Sequence, residues 1–172
     1  MFKYFCKSKW TFPILSLLLI IVLSGCGTVN KMEFYNDTKS TDLSEEVSEI
    51  SLETTEDKVK KILGQPSFTE KSNDGKVTNL IYGQKKENPK IELQVSDGKV
   101  NRYFFLSEEY SSTKGITKGD SEEDVIKKYG ENYYHRDETG LKIIGYFDKK
   151  KKCNIEFSLN DTVEGILVTK VD

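Results

Sequence analysis

Two stretches of this chain, 66 residues apart, carry the same pattern, and no other feature restricts the possible folds as tightly. Residues 50–64 align without a gap on residues 116–130, so that Ile50, Glu56, Val59, Lys61 and Gly64 recur as Ile116, Glu122, Val125, Lys127 and Gly130. Further on, residues 91–97 match residues 155–161 with the offset reduced to 64, which implies a slightly shorter intervening loop in the second copy. Self-similarity at a fixed spacing marks a duplicated supersecondary unit. Units of this size bury too little apolar surface to be stable alone, so two of them are expected to share one core.

Each copy predicts a short helix. Thr54 and Asp120 suit the N-cap, with Asp57 and Glu123 three residues later in the manner of a capping box. Acids occupy the first turn and lysines the last, as the helix dipole favours. Gly64 and Gly130 stand where a left-handed C-terminal residue is needed. The pattern then switches to period two, predicting strands over 77–83, 90–95 and 100–106 in the first copy and over 142–147, 153–159 and 163–171 in the second. Short strands are also expected near Phe68 and Tyr134. Asn73-Asp74-Gly75 and Ser96-Asp97-Gly98 are hairpin signals. The expected fold class is α+β, with two tandem helix-plus-antiparallel-meander repeats, 50–110 and 116–172, sharing a core and packing their helices on one face of the sheet.

A helix that follows an acidic cap, ends in Leu63-Gly64-Gln65-Pro66 and leads into a meander resembles the fold of β-lactamase inhibitor protein, shared by the small lipoprotein of the outer-membrane barrel assembly machine. The resemblance covers roughly residues 50 to 172. It implies a concave sheet that meets a partner protein. The second copy departs from it, with Gly130-Glu131-Asn132 in place of the Gly-Gln-Pro turn, and each copy has one helix where the inhibitor has a helical pair.

The N-terminus speaks to location. Lys3, Lys7 and Lys9 precede an apolar stretch from Ile14 to Leu23 broken only by Ser16, the layout of a signal peptide. That stretch is shorter than the roughly 20 residues a permanent membrane helix needs. It ends in Leu23-Ser24-Gly25-Cys26, which resembles the bacterial lipobox. The resemblance implies removal of residues 1–25, diacylglycerol on the Cys26 sulfur, and a membrane partner reached through that lipid on the outer side of the cytoplasmic membrane. Residues 26–49 are polar and charged, and are expected to form a flexible tether. Arginine is confined to Arg102 and Arg136, alanine is absent and lysine is abundant, a composition expected of an AT-rich genome and a low-GC Gram-positive host.

Removing the three leader lysines from 26 basic residues leaves 23 against 28 acids, a mature charge of −5, so nucleic acid is not an expected partner. Of the three cysteines only Cys153 is left to the domain, and its alternation with Ile155 and Phe157 predicts a buried thiol. The single histidine, His135, is expected in a loop after the second helix. Neither a nucleophile–base pair, nor metal-spaced ligands, nor a phosphate loop is present in the sequence, so neither an enzyme nor a cofactor is expected. Lys149 to Lys152 predicts a solvated turn with some attraction for anionic lipid or wall polymer.

A sharper signal lies at 100–106. If Val100, Phe104 and Leu106 face the helices, Tyr103 and Phe105 lie on the opposite face beside Glu92 and Gln94 and form an aromatic patch with a polar rim, the candidate partner-binding site. The expected function is therefore a non-catalytic envelope lipoprotein that binds another envelope or extracellular protein, as an inhibitor, immunity protein or assembly accessory. The alternative is a small-ligand or wall-polymer sensor.

Overall fold

The computed structural model describes residues 30–171; the leader and Cys26 lie outside them. The chain begins with α1 (Lys31–Asp37), a two-stranded ribbon of β1 (Glu46–Val47) and β2 (Ile50–Ser51), and α2 (Glu56–Leu63). Then come β3 (Phe68–Lys71), β4 (Val77–Tyr82), β5 (Ile91–Ser96) and β6 (Lys99–Phe105). After α3 (Glu122–Tyr129) follow β7 (Tyr134–Glu138), β8 (Leu141–Asp148), β9 (Cys153–Asn160) and β10 (Thr162–Lys170).

The two eight-residue helices start one residue later than the sequence suggests. Thr55 and Ser121 are the caps, and Ser121 forms a full capping box with Asp124. The expected caps are engaged elsewhere: the Thr54 hydroxyl accepts the Ser51 N–H at 3.0 Å, and the Asp120 carboxylate accepts the Thr117 N–H at 2.9 Å. Gly64 and Gly130 end the helices with φ of +79° and +96°, where a Cβ would be strained. Their carbonyls receive the hydroxyls of Tyr82 and Tyr146 from the sheet, at 3.1 and 2.9 Å.

The α+β expectation of two units, each with a helix over its own meander, is overturned. The described chain is mostly β, 44% strand against 16% helix. All eight long strands join in one antiparallel sheet of order β3-β4-β5-β6-β10-β9-β8-β7. The physical reason is the pairing of β6 with β10, Phe105 opposite Ile166 and Tyr103 opposite Val168, which fuses the two meanders edge to edge through backbone hydrogen bonds. One hydrophobic cluster runs across the seam. It takes Leu80, Leu93 and Val100 from one side, Ile144, Ile155 and Phe157 from the other, and Val59, Val125 and Tyr129 from the helices.

The segment 30–49 is not a tether where it is described. Leu43 and Val47 are 1% and 2% exposed in the core, and the Thr41 N–H donates to the Phe147 carbonyl at 2.8 Å. The polar composition conceals three alternating inward residues, Leu43, Glu45 and Val47. Leu43→Ala is therefore expected to cost about 2–5 kcal/mol, read as a lowered urea midpoint. A change within about 0.5 kcal/mol is what a tether residue would give.

Candidate partner-binding face

The core covers one face of the sheet; the candidate site lies on the other, and a bulge in β6 decides what that strand displays there. Gln94 pairs with Arg102 but Val95 pairs with Val100, so Asn101 is one residue too many on β6. Val100 enters the core, the parity then slips, and Tyr103 and Phe105 enter it too, at 1% and 2% exposure. The expected aromatic patch at Tyr103 and Phe105 is thus corrected: both are core residues opposite Leu93 and Ile91. Glu92 and Gln94 are on the second face as expected, half-buried, Gln94 donating to Asn79 at 3.4 Å. The residue they accompany is Phe104. Its signal in the sequence was the polar pair Asn101-Arg102 inside an otherwise apolar strand.

The register gives one continuous cross-strand row on this face: Phe68, Ile81, Glu92, Phe104, Leu167, Glu156, Gly145, Tyr134. Two glycines shape it. A Cβ on Gly145 would lie 2.4 Å from the Tyr134 ring, and one on Gly165 would lie 2.8 Å from both Phe104 and Leu106. Gly165 thus lets the Phe104 ring lie down on the sheet. Between Phe104 and Leu167 on one side and Leu141, Ile143 and Arg136 on the other is an open hollow of about 180 Å³.

One end of the face is closed by α1. Phe34 packs on Tyr134 and Phe147 with ring centroids 5.5 and 6.4 Å apart, and Tyr35 meets Phe147 edge-on at 4.9 Å. Beneath them Glu156, 4% exposed, accepts from Lys31 at 2.9 Å, from Arg136 at 3.0 Å and from the Tyr134 hydroxyl. Burial alone would raise its carboxyl, but these donors outweigh burial and hold it below the ordinary glutamate range. Arg136 also reaches Glu138 at the rim.

The remaining candidates do not gather into a reactive centre. Cys153 is buried as expected, and its thiol is pushed up to about 12, by burial first and then by Glu45 and Asp148, so it is protonated at neutral pH. It borders a groove of about 330 Å³ with Glu45, whose carboxyl burial raises despite the Tyr129 hydroxyl at 2.8 Å. His135 is on strand β7 opposite Ile144, not in a loop. Among the described residues no group of three or more His, Cys, Asp or Glu is placed to hold a metal ion.

No family model matches the chain, and no curated protein matches it. A solved structure does: an extracellular protein containing a SCP domain from Bacillus anthracis str. Ames, at 13% identity and a TM-score of 0.52. The match covers 77% of this chain and 49% of that one, so the likeness concerns about half of the solved protein and shows the fold alone. That neighbour is extracellular, and among the described residues of this chain no helix is long and apolar enough to cross a membrane.

The depressed carboxyl of Glu156 has a sign. Its contribution to stability is fully present above the ordinary glutamate value of 4.5 and is lost as pH falls through the lower folded value. Glu45, with a raised carboxyl, works oppositely, favouring the fold at low pH and losing that contribution as pH rises. Glu156→Gln should cost about 1–3 kcal/mol at pH 7 by leaving charged donors unmatched. The gap in urea midpoint between wild type and Glu156→Gln should narrow as pH falls below 4.5. A gap that stays constant down to pH 2 would contradict the assigned ion cluster.

Proposed function

We propose that this chain is an envelope lipoprotein, anchored through Cys26, whose domain binds another protein and catalyses no reaction. The observation that carries the reading is the half-exposed apolar pair Phe104 and Leu167, with buried Ile143 across the hollow and Arg136, Glu138 and Glu92 at the rim. An apolar centre with a charged rim is how protein interfaces are built. A hollow of about 180 Å³ is smaller than the roughly 300–1,000 Å³ of small-molecule sites, which weighs against a small ligand on this face, while the groove of about 330 Å³ beside Cys153 falls at the lower end of that range. The leader and its Leu-Ser-Gly-Cys end support export and lipid attachment, and an extracellular neighbour of similar fold agrees with that location.

The test is photo-crosslinking on living cells with benzoylphenylalanine in place of Phe104, and separately in place of Asn160 at the far end of β9. One discrete adduct from position 104, absent from position 160, is expected. Phe104→Ser with Leu167→Ser should weaken binding of that partner at least tenfold, since central apolar anchors contribute about 2 kcal/mol or more each. Adducts indifferent to position, or binding indifferent to both substitutions, would remove the face from consideration.

A further inference from the structure

The longest run of like charge in the chain, Lys149 to Lys152, joins β8 to β9 and takes no part in the face described above. The turn is fixed. The buried carboxylate of Asp148 accepts the N–H groups of Lys150 at 2.9 Å, Lys151 at 3.0 Å and Leu43 at 3.0 Å. The Lys149 N–H donates to the Ser40 hydroxyl at 3.0 Å, while its ammonium donates to the Asn36 carbonyl at 3.0 Å and lies 5.5 Å from the centre of the Tyr35 ring. The basic turn and the C-terminal end of α1 therefore form one surface, and exposed Lys39 directly precedes Ser40, which the turn binds.

α1 links this surface to the anchor: Lys31 at its start pairs with Glu156, and Asn36 and Tyr35 at its far end meet the turn. Cys26 precedes Asn30 by four residues, which span at most about 14 Å, and Tyr35 lies about 7.5 Å of helix rise beyond Asn30. The order of residues 30–49 removes the slack that a tether would have given. A domain held so short stays against the headgroups, where lysines are attracted to an anionic leaflet. The acids facing this surface are Glu33 and Asp37 on the outer side of α1, Asp42, already paired with Lys151 at 2.6 Å, and the buried Asp148, 3.8 Å from the same ammonium. Five lysines, Lys39 and Lys149 to Lys152, stand against them.

We infer that the β8–β9 turn, with Lys39, docks on an anionic phospholipid surface and sets the orientation of the anchored domain. β8 then runs away from the bilayer and carries Ile143 and Leu141, at its other end, outward. This rests on the anchoring through Cys26 proposed above.

The test uses the mature lipoprotein, purified from an expressing bacterium and reconstituted into vesicles. A nitroxide label is placed at Lys150→Cys or, as control, at Asn160→Cys, at the far end of β9 and about 23 Å along the strand from Cys153. In phosphatidylcholine vesicles containing phosphatidylglycerol, access of a water-soluble nickel complex to the label at 150 should fall severalfold, while access at 160 should not change. In phosphatidylcholine alone, or with Lys39→Gln, Lys151→Gln and Lys152→Gln together, the protection at 150 should vanish. Equal access at both positions in anionic vesicles, or protection that ignores lipid charge and the lysines, overturns the docking. The mass of the N-terminal peptide reads the anchor separately: lipid on Cys26 with an unprotected label defeats the docking alone, and no lipid on Cys26 defeats both.

Discussion

Because β6 pairs with β5 on one side and β10 on the other, the surplus residue at Asn101 sets what the central strand shows on both faces of the sheet at once. With the bulge, Tyr103 and Phe105 complete a core that also contains Leu93, Ile91, Val168 and Ile166, and Phe104 is left outside. Without it the same strand would direct two large aromatics into solvent and one into the core, and the seam between the two meanders would lose its filling. A slip of one residue reverses every side chain on a strand. The bulge has a cost: Asn101 Oδ1 and the Tyr103 hydroxyl are buried with no hydrogen-bond partner. Such orphaned groups cost about 1–3 kcal/mol each, and burial of the surrounding aromatics offsets them.

Two buried carboxylates then tie the N-terminal segment to this sheet. Glu156 gathers Lys31, Arg136 and Tyr134 under α1, and Asp148 gathers Leu43 and the lysine turn. Burial raises both carboxyls, but the donors around each more than compensate, so both are held below their ordinary values. The consequence is positional. α1 has no fully buried residue of its own and is only seven residues long, too short to persist without such contacts. Its aromatic contacts with Tyr134 and Phe147, together with the Lys31 ion pair, are what place it on the sheet.

Local chemistry was legible in the sequence where it was repeated and periodic. The helices at 56–63 and 122–129, their terminal glycines, the hairpin at Asp97-Gly98 and the burial of Cys153 all follow from patterns a single strand or turn can express. What was illegible depends on partners far away in the chain. The joining of the two meanders rests on β6 meeting β10, more than 60 residues later, and no local signal encodes it. Leu43 and Val47 hid in a charged stretch because two inward residues among many polar ones resemble a linker. The aromatic on the second face was misassigned by one residue for the same kind of reason, since strict alternation cannot anticipate a bulge.

The assignment of the second face can be measured directly through thiol reactivity. Cys153 is buried and protonated at neutral pH, so a cysteine placed at 103 or at 104 reports with little background. The account predicts that Phe104→Cys reacts with a water-soluble maleimide at nearly the rate of an exposed thiol, whereas Tyr103→Cys reacts only as fast as the domain opens. The reverse order, with position 103 fast and 104 protected, would mean that β6 runs without its bulge and would contradict both the face and the function drawn from it.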